Sequence, residues 1–413
     1  RLHASPAALS SAASSLPPAS HTGDVSDARL SMSDGRPYPW LSQQQEGSWT
    51  EARYLIYQPF GGLCNQLACL ECAVALARAT GRTLVLPRWR AQYGQPWLSE
   101  GSDYFDLSPL SRIVRCATLD QFAAARAGSG DGEGVALVRL HLCFNPAWAD
   151  ARGWELFPEL RSLLANLEYL REVDAAAGLR LGIAAGSGVE DERSLELPQP
   201  LRGAREVAAA FGDAAQSVLA LDHSFCAAAL PSLLDAGERA LLLQALRPSP
   251  RIRAKAEGCL AAARAAVPGG ACALISRDHW RLPESRRPCL AAHVRRTDLQ
   301  RLAELTGDAR LWPAIGSVAS QIGSLLEGRQ LASWLLATDA TDAAELAALS
   351  SLPRRAEVAE SAREGEDAVA VALADLWVCV CADFFVGTRG STFSEYIQRH
   401  RVAAGKVVDH VSF

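Results

Sequence analysis

The sequence predicts an α/β protein of two Rossmann-like, doubly wound domains, and three observations predict it. Arg53-Tyr54-Leu55-Ile56-Tyr57-Gln58 reads as a strand, Pro59 to Gln66 as a glycine turn, Asn65 to Thr80 as a small-residue helix and Thr83 to Pro87 as a second strand. That is the βαβ unit of a parallel sheet. From Cys289 onward, apolar strands and helical runs alternate in the same way. The length of 413 residues suits two cores, because single cores stop growing beyond roughly 250 to 300 residues. The expected layout is a flexible stem over 1–50, a first Rossmann-like domain over 51–265 and a second over 266–413.

In chain order, residues 1–50 are rich in Ser, Ala, Pro and Gly without any sustained period, which is the composition of a stem or leader. After the βαβ unit, Val135 to Leu140 reads as a strand, and Leu160 to Leu170, Gly203 to Phe211 and Pro231 to Leu246 read as helices. Glycine-rich and acidic loops at 128–134 and 186–191 separate them. Pro248-Ser249-Pro250 approaches the domain junction, and the helix Arg251 to Ala266, stopped by Pro268-Gly269-Gly270, starts the second half or bridges to it. There the predicted order is strand 289–295, helix 311–327, strand 331–337 and helix 342–349. An apolar helix over 368–381, strand 383–386 and a terminal helix 391–401 follow. No internal repeat is visible.

Composition narrows the class. Hydrophobic residues make up 49% and charged residues 21%, and the formal net charge of -5 with a pI near 6.0 leaves no basic excess to hold a nucleic acid. Asparagine occurs only at Asn65, Asn145 and Asn166, none of them in a glycosylation sequon, which makes Asn65 conspicuous. Eleven cysteines are an odd number, so at least one is free or pairs between chains. Cys69 and Cys72 form a CxxC pair, but within a helical stretch, where a buried or disulfide cysteine is the expectation rather than zinc or redox chemistry. A secretory compartment is compatible with this usage. No apolar run reaches the ~18 residues of a membrane span. The chain starts at Arg1 rather than Met and so reads as a processed form or a fragment.

In open parallel sheets ligands bind at the carboxyl ends of the strands. The strand 289–295 ends in His293-Val294-Arg295-Arg296-Thr297-Asp298. Alternation puts His293 and Arg295 on one face, Val294 and Arg296 on the other. A guanidinium forks onto phosphate oxygens, so an arginine here suits a diphosphate; the alternative is an ion pair of Arg295 or Arg296 with Asp298. The next strand ends in Ala337-Thr338-Asp339. Asp339 either caps the following helix or, as a carboxylate facing adjacent N–H and NH2 groups, selects guanine. The third strand runs through Gly387-Thr388-Arg389-Gly390-Ser391-Thr392 into a helix, whose N-terminal amides and dipole seat a phosphate. Ser391 is either a donor there or an N-cap alone. Taken together these describe a nucleotide diphosphate site. G-x-x-x-x-G-K-[ST], G-x-G-x-x-G and D-x-D are all absent, so no metal is expected on the diphosphate.

Gly61-Gly62-Leu63-Cys64-Asn65-Gln66, His293 to Asp298, Ala337-Thr338-Asp339, and Phe385 to Thr388 with Ser391-Thr392-Phe393-Ser394 occur here in an order that resembles the GDP-fucose protein O-fucosyltransferase superfamily, itself similar to the α1,6-fucosyltransferases. The resemblance spans most of 53–401. It implies a GT-B fold with an acceptor-side first domain and a GDP-sugar-binding second domain. The implied activity is inverting, metal-independent transfer of fucose from GDP-fucose to a hydroxyl of protein Ser/Thr or glycan, in the lumen of the endoplasmic reticulum or Golgi. GDP-fucose is the substrate and no cofactor is implied; the partners are the nucleotide sugar and an acceptor protein or glycan. The resemblance assigns Arg295 to the β-phosphate, His293 and Asp339 to the guanosine end, and Ser391 and Thr392 to the diphosphate. Gly61, Gly62, Asp298 and Phe393 join the donor site, and Asn65 stands where sugar and acceptor meet; Arg295 and Asn65 are the implied catalytic residues. One departure stands out: no acid lies between Gly61 and Gln66, so the general base is unassigned, and Glu71 lies about two turns further on. The alternatives are a relative that transfers another deoxysugar and a silent relative that binds without turnover.

Overall fold

The apolar tetrapeptide Tyr54–Tyr57 (β1) is buried on both faces. Leu55 and Tyr57 enter one hydrophobic cluster, Tyr54 and Ile56 another, as expected of a central parallel strand covered by helices on both sides. The structure is a computed structural model that describes residues 52–91, 97, 101–127, 135–139, 167–179, 181, 194–196, 216–221, 234–265, 288–296, 299–353, 367–406 and 411–413. The expected stem, both middle loops, the predicted helix 203–211 and part of 160–170 lie outside these residues.

After β1 come Leu63–Thr80 (α1), Thr83–Val85 (β2), Gly101–Tyr104 (α2), Cys116–Ala117 (β3), Leu119–Ala127 (α3), Val135–Arg139 (β4), Glu168–Ala177 (α4), Ser194–Glu196 (β5), Val218–Leu221 (β6) and Ala236–Ala245 (α5). The strands form one parallel sheet in the order β3-β2-β1-β6-β4-β5. Pro250–Ala265 (α6) then leads to Cys289–Val294 (β7), Leu299–Thr306 (α7), Ile315–Gly328 (α8), Ser333–Thr338 (β8), Ala343–Ser350 (α9), Ala368–Cys381 (α10), Phe384–Gly387 (β9), Thr392–Ala403 (α11) and Val411–Ser412 (β10). These make a second parallel sheet, β10-β9-β7-β8. The strands β3, β5, β6 and β10, the helices α2, α3 and α7 and the start of α8 four residues late are differences from the sequence-based expectation. Strands of two to four residues are held by their neighbours and carry too few side chains to show a period of their own.

One cluster of buried side chains runs through both sheets. It joins Leu55, Tyr57, Leu219 and Leu221 of the first to Cys289, Ala291, Leu335 and Ala337 of the second through α1, α6, α10 and α11. The helix α6, which belongs by sequence to 51–265, packs on α10, β7 and β8 of the second sheet. The last helix, α11, reaches back to α1 and α5. Its C-terminal turn and the residues just after it are anchored by two cations. Arg401 donates to the carbonyls of Cys379, Val380, Ala382 and Asp383, and Lys406 donates to those of Val380, Cys381 and Ala382. Carbonyls at a helix C-terminus lack intrahelical donors and carry the negative end of the dipole, so two cations there clamp α11 against α10.

Among the described residues eight cysteines are unbridged, and Cys69 and Cys72 are both buried in the core along α1. No described helix is long and apolar enough to cross a membrane.

Candidate active site

The turn between β1 and α1 is held by Gln66. Its buried carboxamide donates to the carbonyls of Gly61 at 3.0 Å and Arg90 at 2.8 Å and accepts from the Arg90 N–H at 3.3 Å. Gly61 has φ of 71°, and a Cβ there would stand 2.6 Å from Asn65 Nδ2. Only glycine meets both demands. Asn65 thus lies over the turn, and its Oδ1 is buried with no hydrogen-bond partner among the described residues. A buried acceptor without a partner costs free energy unless something supplies a donor.

On the second sheet, β7 lies between β8 and β9, with His293 opposite Ala337 on one side and Gly387 on the other. Val294 packs into the cluster under α8. His293 turns the other way and is buried against Phe393, ring centroids 4.6 Å apart and nearly parallel. Burial, reinforced by the nearby Arg295 charge and opposed by Asp339, holds the imidazole pKa down at about 3. The ring is therefore neutral at physiological pH.

Backbone and hydroxyl groups lock this strand end to the loop before α11. Thr388 Oγ1 accepts from the Arg295 N–H at 2.9 Å and donates to the His293 carbonyl at 2.9 Å. The Thr388 N–H donates to Ser394 Oγ at 3.0 Å, and Ser394 Oγ lies 2.7 Å from His293 Nδ1. A Cβ on Gly387 would come within 2.7 Å of Ser394 Oγ, so glycine is required for that approach. Ser391 is the N-cap of α11, accepting from the Ser394 N–H at 3.5 Å. Thr392 and Phe393 open the helix, where backbone N–H groups have no intrahelical acceptor.

The two adjacent arginines have separate surroundings. Arg296 is buried, with Nε 3.0 Å from both Glu345 oxygens, Nη2 on Glu345 Oε1, Nη1 2.9 Å from the Pro313 carbonyl, and the guanidinium 3.2 Å above the Trp312 ring. Arg295 remains 30% exposed at the strand end, with Nε 3.9 Å from Asp339 Oδ2. Asp339 Oδ1 accepts from the Arg296 N–H at 2.6 Å. It does not cap α9; Asp342 does, accepting from the Glu345 N–H. Each carboxylate oxygen has more than one acceptor site, so Asp339 keeps capacity beyond this bond. Asp298 lies outside the described residues.

The opening of α1 comes close to this strand end: the Arg295 charge acts on Cys64, whose thiol burial pushes up. Glu71 faces α11 and pairs with Arg399 at 2.6 Å. Its pKa lies above the usual carboxylate range because burial outweighs the pull of Arg399. It is an ion pair between helices of the two sheets. The sequence reading passed over Ser394, Thr388 and Gln66 as individual residues. Ser394, three residues after the cap Ser391, carried a faint signal in a small polar side chain inside the first turn of an otherwise bulky helix.

Two parallel sheets with a shared core, and a strand-end arginine, neutral imidazole and helix N-terminus gathered on the second, define a GT-B-like α/β protein. Comparison with known proteins is more specific. The chain belongs to the GDP-fucose protein O-fucosyltransferase family, whose profile matches residues 54–404. It is 32% identical over 124 residues to GDP-fucose protein O-fucosyltransferase 2 of Homo sapiens, a stretch that is 29% of this chain and 27% of that protein. The matched stretch therefore spans only about a quarter of the curated relatives' length. The fold is similar to that of POFUT1 in complex with GDP-fucose, at 18% identity and a TM-score of 0.55, covering 88% of this chain and 98% of that one. The apo form of POFUT1 aligns over the same extent with a TM-score of 0.56.

Proposed function

We propose that this protein is an inverting fucosyltransferase that uses GDP-fucose, without a metal, to glycosylate a hydroxyl of protein Ser/Thr or of a glycan in the secretory-pathway lumen. The observation that carries the reading is the division of labour between adjacent arginines. Arg296 is committed to Glu345, Pro313 and Trp312, while Arg295 stands partly exposed beside a neutral histidine and the first turn of α11. As the bond from fucose C1 to the β-phosphate breaks, negative charge grows on the phosphate, and a preorganised guanidinium binds that state more tightly than the ground state. The α11 amides, with Ser391 and Thr392, hold the same diphosphate. Asp339 selects guanine, and the unpartnered Asn65 Oδ1 meets the sugar or the acceptor hydroxyl. Glu71 is engaged by Arg399 and is not assigned as the base; Arg295 supplies electrostatic stabilisation of the departing GDP.

A donor-hydrolysis and transfer assay over a panel of nucleotide sugars, run in excess chelator, tests the reading. Turnover of GDP-fucose above all other donors is expected, with GDP binding undiminished. Preference for another deoxysugar nucleotide, or binding without turnover, would replace it with one of the alternatives. Loss of GDP binding on chelation would refute the metal-free assignment.

A further inference from the structure

The hydroxyl of Ser394 is buried at 1% exposure and has one hydrogen to give and two lone pairs to receive. The Thr388 N–H takes one lone pair at 3.0 Å. The other polar atom against the hydroxyl is His293 Nδ1, at 2.7 Å. If Nδ1 carried a proton, the hydroxyl would accept from both nitrogens and its own hydrogen would be buried without an acceptor, which is the costly arrangement. With Nδ1 bare, the hydroxyl hydrogen has Nδ1 as its acceptor and the Thr388 N–H keeps its own lone pair. The ring proton then sits on Nε2, for which no protein acceptor exists among the described residues.

From this geometry we infer that Ser394 is a positioning residue that locks His293 in the neutral Nε2–H tautomer, so that the ring presents a fixed N–H donor to the nucleotide of the donor sugar. The nucleotide half of this inference rests on the proposed GDP-fucose function; the tautomer half does not. The surrounding residues form a socket with one purpose each. Phe393 fixes the ring plane by stacking, Gly387 leaves room for the Ser394 hydroxyl, and Thr388 orients that hydroxyl through its N–H while tying the His293 carbonyl to the Arg295 N–H. The low imidazole pKa agrees with a ring that donates one hydrogen bond and carries no charge. Charge neutralisation is thereby left to Arg295, and His293 contributes direction.

The test is nitrogen-detected magnetic resonance on full-length protein labelled at its histidines, with His293 assigned by loss of its signals in His293→Gln. In the unliganded wild type, Nδ1 is expected as a hydrogen-bonded imine and Nε2 as the protonated nitrogen. A protonated Nδ1 would overturn the inference without any variant being made. In Ser394→Ala the Nδ1 resonance should move to that of an imine without a hydrogen bond. The KM for GDP-fucose should rise about tenfold, the scale of one weakened hydrogen bond to a charged group, with kcat changed less. Ser394→Thr, which keeps the hydroxyl, should restore both. An unchanged Nδ1 resonance or an unchanged KM in Ser394→Ala refutes the positioning role. GDP added to the wild type should shift the Nε2–H signal. An unmoved signal with the tautomer intact, in a sample that calorimetry shows to bind GDP, would remove the nucleotide half and leave the donor-site reading standing, whereas absence of GDP binding would count against that reading.

Discussion

Lysine at position 295 and lysine at position 296 should produce opposite defects, although the two residues are adjacent and chemically identical. Arg296 makes a forked contact with Glu345, a further bond to the Pro313 carbonyl and a stack on Trp312, all in a buried setting. Lysine keeps the charge but loses the fork, the Pro313 bond and the planar stack. Losing one or two hydrogen bonds of charged groups at about 1.5 to 3 kcal/mol each, offset by a retained ammonium–carboxylate contact, puts Arg296→Lys about 2 to 4 kcal/mol down in stability. The stack adds about 0.5 to 2 kcal/mol to the loss. Arg295, by contrast, is partly exposed and its pairing with Asp339 at 3.9 Å is loose, a contact of the kind that contributes about 0 to 1 kcal/mol. Arg295→Lys should therefore melt within a degree or two of wild type while turnover falls at least ~100-fold, the scale of losing one preorganised electrostatic donor, and GDP affinity falls far less. Thermal melts, GDP calorimetry and turnover on the two variants side by side are the assay. A stable, inactive Arg296→Lys beside an unstable, active Arg295→Lys would refute the reasoning.

Asp339→Asn should keep the fold and weaken GDP by about 1 to 3 kcal/mol while ADP gains relative to it; an unchanged GDP/ADP affinity ratio would reduce Asp339 to a tether for the Arg296 N–H. Glu71 has a folded pKa above its reference of 4.5, so between those two values the folded state binds more protons than the unfolded one and stability falls as pH rises through that window. Glu71→Gln should abolish that slope in denaturant titrations at a series of acid pH values, and an identical slope in both proteins would refute it. Arg399→Gln, which leaves the Glu71 carboxylate buried alone, should cost more stability at neutral pH than Glu71→Gln does, and the reverse order in chemical unfolding would count against the pair. Gly387→Ala drives a methyl against Ser394 and should cost about 1 to 3 kcal/mol in strain, visible as a lower melting temperature together with weaker GDP binding.

Much of the scaffold was legible because local chemistry and final environment agree. The run Tyr54–Tyr57 is apolar on both faces and becomes a central strand; the glycine turn before α1 and the apolar stretch Ala368–Cys381 follow the same logic. The split between Arg295 and Arg296 was also readable from alternation along a strand, since a period of two sends neighbours to opposite faces whatever surrounds them. The helix α6, expected to start the second half or bridge to it, packs on β7 and β8 of the second sheet; the elements it packs on were not readable, because an apolar stripe does not name its partner. The same limit hid the site's finer parts. Ser394 meets His293 from 101 positions away, Glu345 reaches Arg296 from 49, and Arg399 closes on Glu71 across 328. Periodicity and capping act within a few residues, so they determined which elements form and which faces are apolar. Which hydroxyl settles a histidine's proton, and which acid occupies which arginine, was decided only when folding brought distant strand ends and helix starts within hydrogen-bonding distance.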